Sequence, residues 1–281
     1  TAVDSTWLSR EAATEIVEEF ERQEKTRGEK EGRGADRRGA YPFITGDGFR
    51  HHCSPHICED GNRCRMEPEK VKDGDCVFVK TDLFEMFMVN VAPNIKNKYV
   101  LVSHNGDLSA PDGQTDAPRI GMPKYEALPL LQKQYDAGLL LAHHGQNTWW
   151  RKYGEGGAAS KPPFVHCLPI GFENRQYRIG SNPQMYADML RKNVVNRPER
   201  SVQELSARPL LLMAFYPKSR VPDRAKVFGT LGASWPPKGG TWFNLTDLDH
   251  NQWLNGISEH RFVLAPFGHG LDTHRISEIL L

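Results

Sequence analysis

Short apolar runs recur along this chain, and each gives way to a cluster of polar residues or glycine. Residues 41–45 run into Gly46-Asp47-Gly48-Phe49-Arg50, and residues 76–80 into Thr81-Asp82. Residues 99–102 run into Ser103-His104-Asn105-Gly106-Asp107, residues 139–142 into His143-His144-Gly145-Gln146-Asn147, and residues 165–170 into Gly171. Apolar runs bounded by turn residues and alternating with helical spacing predict buried strands of a parallel sheet. Helical spacing occurs at residues 9–24, where Leu8, Ala12, Ile16, Val17 and Phe20 share a face. It returns after Thr81-Asp82 through Phe84 and Phe87, and at residues 183–192 with Met185, Met189 and Leu190 inward. Residues 25–39 are charged and glycine-rich, which predicts a solvated linker. A polar stretch to Ala207 precedes a second block, opened by an apolar run at residues 209–215. The fold class is therefore α/β, with an N-terminal helix and linker (1–39), an N-terminal domain (40–205) and a C-terminal domain (206–281).

In parallel α/β sheets, ligands bind beyond the carboxyl ends of the strands. Here those ends repeatedly carry Asp, His, Asn and Thr, more polar chemistry than turns alone require. Two junctions suit a phosphate. The first is residues 262–281, where an apolar run ends at Pro266, passes a loop containing Gly268 and Gly270, and enters a helical segment. Free backbone N–H groups and a helix dipole would converge there, with Asp272 or Thr273 as the cap. Glu278, within that helix, is placed to accept hydrogen bonds from sugar hydroxyls. The second junction is the loop after residues 209–215, whose Lys218, Arg220 and Arg224 suit a diphosphate; a solvated basic face is the alternative.

Composition narrows the function classes. The chain has 281 residues, enough for one large or two modest domains. With 36 basic against 35 acidic side chains, no overall field favours nucleic acid or an anionic membrane. A mean hydropathy of -0.58, 19 prolines and 25 glycines describe a soluble, loop-rich protein. No apolar run approaches the roughly 20 residues that span a bilayer. Because residue 1 is Thr, a preceding segment is expected, and it is where a membrane anchor would lie. Three of five cysteines, Cys53, Cys58 and Cys64, cluster with His51, His52 and His56; Cys76 and Cys167 lie beyond. The spacing departs from zinc-site patterns, so two disulfides and one free thiol are favoured over zinc. The sequon Asn244-Leu245-Thr246 is compatible with a secretory route.

The ordered motifs resemble those of the exostosin-like glycosyltransferases. The resemblance rests on residues 44–50, 77–82 and 99–107, on Gly145-Gln146-Asn147, on residues 168–174, and above all on residues 262–281. It implies a GT-B arrangement, two Rossmann-like halves facing a cleft, with a nucleotide-sugar donor in the C-terminal half and the acceptor at the N-terminal half. It implies donor contacts from Gly268, Gly270 and Arg275 at the phosphates and Glu278 at the ribose, with His274 also donor-binding, beside Lys218, Arg220 and Arg224. Transfer would be inverting, with a UDP-linked donor, no cofactor and no bound metal, onto a glycan or glycoprotein in the Golgi lumen; a cytoplasmic site is the alternative. The family continues with a further strand and helix past the point matching Leu281, so the C-terminal half is expected to be incomplete.

Inverting transfer needs a base, stabilisation of the leaving diphosphate and two sugars in line. Asp47, Asp107 and His104 are the candidate bases, although Asp beside Gly commonly caps a turn. Arg50, His143, His144, Asn147 and Trp149 are expected on the acceptor side. Trp149, Trp150 and Tyr153 would form a sugar platform or pack inside, and Trp235, Trp242 and Trp253 are expected in the core. Two other classes remain: a noncatalytic structural or carbohydrate-binding protein on a transferase-derived scaffold, and a zinc hydrolase built on the cysteine–histidine cluster.

Overall fold

A computed structural model describes residues 8–26, 37–60, 63–107, 110, 127–148, 162–177, 180–196, 201–214, 222–232, 241–243, 248–266 and 272–281. The first element is helix α1 (Arg10–Thr26), which buries Ala13, Val17 and Phe20 and exposes its glutamates. Most of the expected linker, residues 27–36, lies outside the described residues. The chain forms two units. One comprises residues 44–170 with 269–272, and the other residues 1–43, 171–268 and 273–281. The sequence placed a border near residue 205, whereas the chain leaves the first of these units after Ile170.

The first unit is built on a five-stranded parallel sheet. Its elements are α2 (Gly46–His52), β1 (Ile57–Cys58), β2 (Asp75–Lys80), α3 (Phe84–Asn90), β3 (Tyr99–His104), α4 (Ala127–Asp136), β4 (Leu140–Gln146) and β5 (Val165–Leu168). The strands lie in chain order, β1-β2-β3-β4-β5, each parallel to its neighbour. One face packs Val77, Val79, Leu101 and Leu140 under Phe84, Phe87 and Met88 of α3 and Leu131 of α4. Each fully buried side chain of that size contributes about 1.5–3 kcal/mol. The other face holds Phe78 and Val102 against Cys53 and Phe49. Disulfide Cys53–Cys76 staples the end of α2 to β2, and Cys58–Cys64 closes the loop after β1. Cys167 is a free thiol. The favoured cysteine assignment is therefore the observed one, and the zinc hydrolase reading loses its thiolate ligands.

Two strand boundaries differ from expectation. Residues 41–45 form no strand: Pro42 has no ladder N–H to give, and the Thr45 hydroxyl instead accepts Gly48 N–H at 3.0 Å and opens α2. The fourth strand does not end at Ala142 but continues to Gln146, so His143 and His144 lie within it. Gly46 is required by a close approach, since a Cβ there would stand 1.7 Å from Asn105 Oδ1.

The second unit carries a three-stranded parallel sheet. After α5 (Gln184–Leu190) and α6 (Val202–Ala207) come β6 (Leu211–Ala214), α7 (Pro222–Gly232), β7 (Thr241–Phe243), α8 (His250–Glu259), β8 (Phe262–Leu264) and α9 (His274–Ile279). The strand order is β7-β6-β8. Leu212, Ala214, Trp253 and Leu254 centre its core, while Phe43, Phe172, Tyr186 and Leu190 receive α1. Arg175, buried in this unit, reaches Glu24 of α1 through both terminal nitrogens, at 3.2 and 2.5 Å, and Gly39 O through Nε at 3.2 Å. A capping box between Asp249 and Gln252 starts α8. Within the polar stretch that ends at Ala207, residues 202–207 form helix α6, and Arg224 sits inside α7 rather than in a basic loop. Among the described residues no helix is long and apolar enough to cross a membrane.

Candidate functional site

The five-stranded unit gathers polar side chains where β2, β3 and β4 end. Thr81 Oγ donates to His104 O at 3.1 Å, and Gln146 Nε2 donates to Gly106 O at 3.0 Å, which locks the strand ends together. Asn105 and Asn147 hold left-handed φ angles of 60° and 52°, a conformation their short polar side chains tolerate. Asn105 Nδ2 donates to Asp47 Oδ1 at 3.3 Å and to Glu59 Oε1 at 3.1 Å, so one amide bridges two carboxylates. Arg50 Nε stands 2.8 Å from the second Glu59 oxygen. Asn147 Oδ1 accepts Asp272 N–H at 2.8 Å, and Asp272 Oδ2 accepts Ile170 N–H at 2.7 Å.

These contacts sort the candidate bases. Asp47 is fully buried in the first turn of α2. His104 is buried too: Asn105 N–H donates to Nδ1 at 2.8 Å, which leaves Nε2–H to donate to Pro169 O at 3.1 Å. Its free lone pair is thus already engaged. Asp107 alone of the three is exposed. His144 is half-buried and stacks on His166 with ring centroids 4.8 Å apart.

His143 is not an acceptor-side residue but a core histidine, because the longer β4 turns it inward. It is fully buried, bonds Ser103 Oγ through Nε2 at 2.9 Å and lies against Phe84. Burial, then the neighbouring His144 and His166, lowers its pKa from 6.5 to about 3. The unfolded chain therefore binds the proton that the folded chain refuses. Stability from the neutral ring is complete above pH 6.5 and drains away as pH falls from 6.5 toward 3. Urea unfolding between pH 7 and 4 should show a steeper acid loss for the wild type than for His143→Gln; parallel profiles would contradict this.

The second cluster belongs to the three-stranded unit. Because β7 and β8 flank β6 on opposite sides, the strand order reverses there. Such a switch point is where open α/β sheets bind ligands, beyond the strand carboxyl ends. The first unit, with its strands in chain order, has no such reversal among the described residues. Glu278 of α9 is buried and accepts the indole N–H of Trp253 through Oε2 at 2.7 Å; its Oε1 lies 3.6 Å from His250 Nε2. Arg275, a turn earlier, places its guanidinium over the Trp253 ring, 5.2 Å from the centroid. Its Nη1 is buried with no hydrogen-bond partner among the described residues. Burial, then neighbouring Arg224, lowers the Arg275 pKa to about 10, and Glu278 opposes that shift. Burial also lowers the pKa of Arg224. His274 Nδ1 meets Gly171 O at 2.8 Å, and its Nε2 lies 3.4 Å from Glu173 Oε1. Burial raises the Glu173 pKa, with the Glu278 charge adding to the rise and His274 opposing it.

Arg224, His274, Arg275 and Glu278 are thus brought into one cluster, while Lys218, Arg220, Gly268 and Gly270 lie outside the described residues, as do Trp149, Trp150, Tyr153, Trp235 and the sequon at 244–246. Thr273 occupies the N-cap position of α9 without a side-chain capping bond, and Asp272 instead holds Ile170. Glu59, His250 and Trp253 were not recognised from sequence as site residues. The Asp-x-x-Gln start of α8 was the available signal for the last two. Among the described residues no group of three or more His, Cys, Asp or Glu side chains is placed to hold a metal. No family model matches the chain, and no curated protein is found to match it.

Proposed function

We propose that the chain is an inverting, metal-independent glycosyltransferase of GT-B type. In this reading the three-stranded unit binds a nucleotide-sugar donor, UDP-linked, and the five-stranded unit presents a glycan or glycoprotein acceptor. The observation that carries it is the cation pair Arg275 and Arg224. The Arg275 guanidinium is held rigid on Trp253 with a buried, unpartnered N–H, beside a second arginine, in the unit where the strand order reverses. A protein leaves the Arg275 guanidinium in such a place at a cost, and a bound anion offsets it. A diphosphate fits their charge, and the arginines supply the stabilisation that a metal gives elsewhere. Glu278 would orient the ribose from beneath, and Asp107, the exposed carboxylate of the candidate set, would take the acceptor proton. Two disulfides fit an oxidising compartment, for which we propose the Golgi lumen.

The burial of Asp47 and His104 favours one competitor, a sugar-binding protein that has kept the scaffold without the chemistry. A panel of nucleotide sugars, assayed for diphosphate release with glycan acceptors, separates the two. Turnover with one donor is expected, and Asp107→Asn should lower kcat by about a hundredfold or more with donor affinity unchanged. Donor binding without turnover would favour the sugar-binding reading. Undiminished kcat in the variant would remove Asp107 as the base.

A further inference from the structure

Trp253 touches two members of the donor cluster, Arg275 and Glu278. Its indole N–H donates to Glu278 Oε2 at 2.7 Å, and its ring carries the Arg275 guanidinium at 5.2 Å. Yet Arg275 and Glu278, on one helix and close enough for the carboxylate to support the guanidinium charge, form no ion pair among the described residues. Two opposite charges, both largely buried and a turn apart, ordinarily close on each other. Here one carboxylate oxygen is instead taken by the indole N–H. Trp253 is 3 % exposed, so it is too deep to stack on a base or a sugar itself. It stands on α8, whose capping box fixes the helix start four residues earlier at Asp249.

We propose that Trp253 is a positioning residue that holds the Glu278 carboxylate away from Arg275 and so keeps the guanidinium open for the donor diphosphate. This rests on the donor reading given above. Without the indole N–H, Glu278 loses the bond to Oε2 and turns to the unpartnered Nη1 of Arg275. The resulting ion pair neutralises the cation and competes with the anion. The carboxylate is then also lost to the ribose. His250, 3.6 Å from the other oxygen, is too distant to hold it alone.

The test uses the full chain in two forms that lack the N–H. Trp253→Phe keeps an aromatic face for Arg275, and replacement of Trp253 by benzothienylalanine keeps the bicyclic shape with sulfur in place of N–H. Affinity for UDP, read by calorimetry, should fall roughly tenfold or more in both. The KM for the donor should rise by the same factor while kcat at saturating donor stays within about twofold. Glu278→Gln in the benzothienylalanine background should recover part of the affinity, because a neutral amide competes less for Arg275. A purely structural Trp253 would lower thermal stability and leave the Kd and KM unchanged, which would overturn the proposal; so would an equal loss in kcat and kcat/KM. Wild-type chain that binds no UDP would overturn the donor reading itself, a result distinct from wild-type binding that the N–H-deficient forms share in full.

Discussion

Replacing Arg275 with alanine should weaken UDP binding by roughly ten- to a hundredfold and leave the melting temperature unchanged or higher. The two halves of this expectation come from one fact. Arg275 is costly to the folded chain on its own: burial and the neighbouring Arg224 both oppose its charge, and its Nη1 finds no partner among the described residues. Removing it relieves that cost. An anion repays it, and the charge-assisted bonds lost are each worth about 1.5–3 kcal/mol, which sets the expected fall in affinity. Arg275→Lys should fall between, because an ammonium keeps the charge but loses the planar stack on Trp253 and the forked donors. Calorimetric titration and scanning calorimetry on the same samples decide the matter. A variant with lower stability and full affinity would make Arg275 a structural residue.

The second large effect concerns α1. Arg175→Ala should destabilise the chain by about 3 kcal/mol in chemical denaturation, with no change in UDP affinity. The Arg175 side chain is only 1 % exposed, whereas its partner Glu24 is 25 % exposed. The deletion therefore removes two hydrogen bonds to the Glu24 carboxylate and one to Gly39 O. A buried ion pair contributes little net stability over apolar residues of the same shape, but breaking one side of it costs several times more. The double variant Arg175→Met/Glu24→Leu should accordingly recover most of the loss. A double variant as unstable as Arg175→Ala would show that the pair itself, rather than its one-sided removal, carries the stability.

Much of this architecture was legible because parallel strands buried on both faces leave a strong trace. The runs at 76–80, 99–102 and 165–170 fall on β2, β3 and β5, and the amphipathic spacing at 9–24 falls on α1. The failures have local causes. The run at 41–45 has a strand's composition, but Pro42 and the Thr45 cap turn it into a helix entry. His143 looks like a strand-end residue because two histidines end the apolar run. The sheet continues beneath them, and tertiary burial decides which one is inside. Arg224 reads as loop because prolines precede it, yet Pro222 is the first residue of α7, a position helices tolerate well.

The candidate site was legible by residue type and less by role. Arg275, Glu278 and His274 do cluster, but the partners that define their states, Trp253, His250 and Glu173, come from elements far away in sequence. Residue spacing carries no information about such contacts. Nor does it show that Asp47 and His104 are sealed by Asn105, whose left-handed backbone places both its amide groups among them.

The central claim is that the three-stranded unit holds a nucleotide-sugar donor through Arg275. Calorimetric titration of UDP into the full chain, repeated at low and high salt, tests it most directly. The account predicts a single saturable site whose affinity falls as salt rises and drops by roughly ten- to a hundredfold with Arg275→Ala. A titration with no saturable heat, or one that the arginine's removal leaves unchanged, would contradict it.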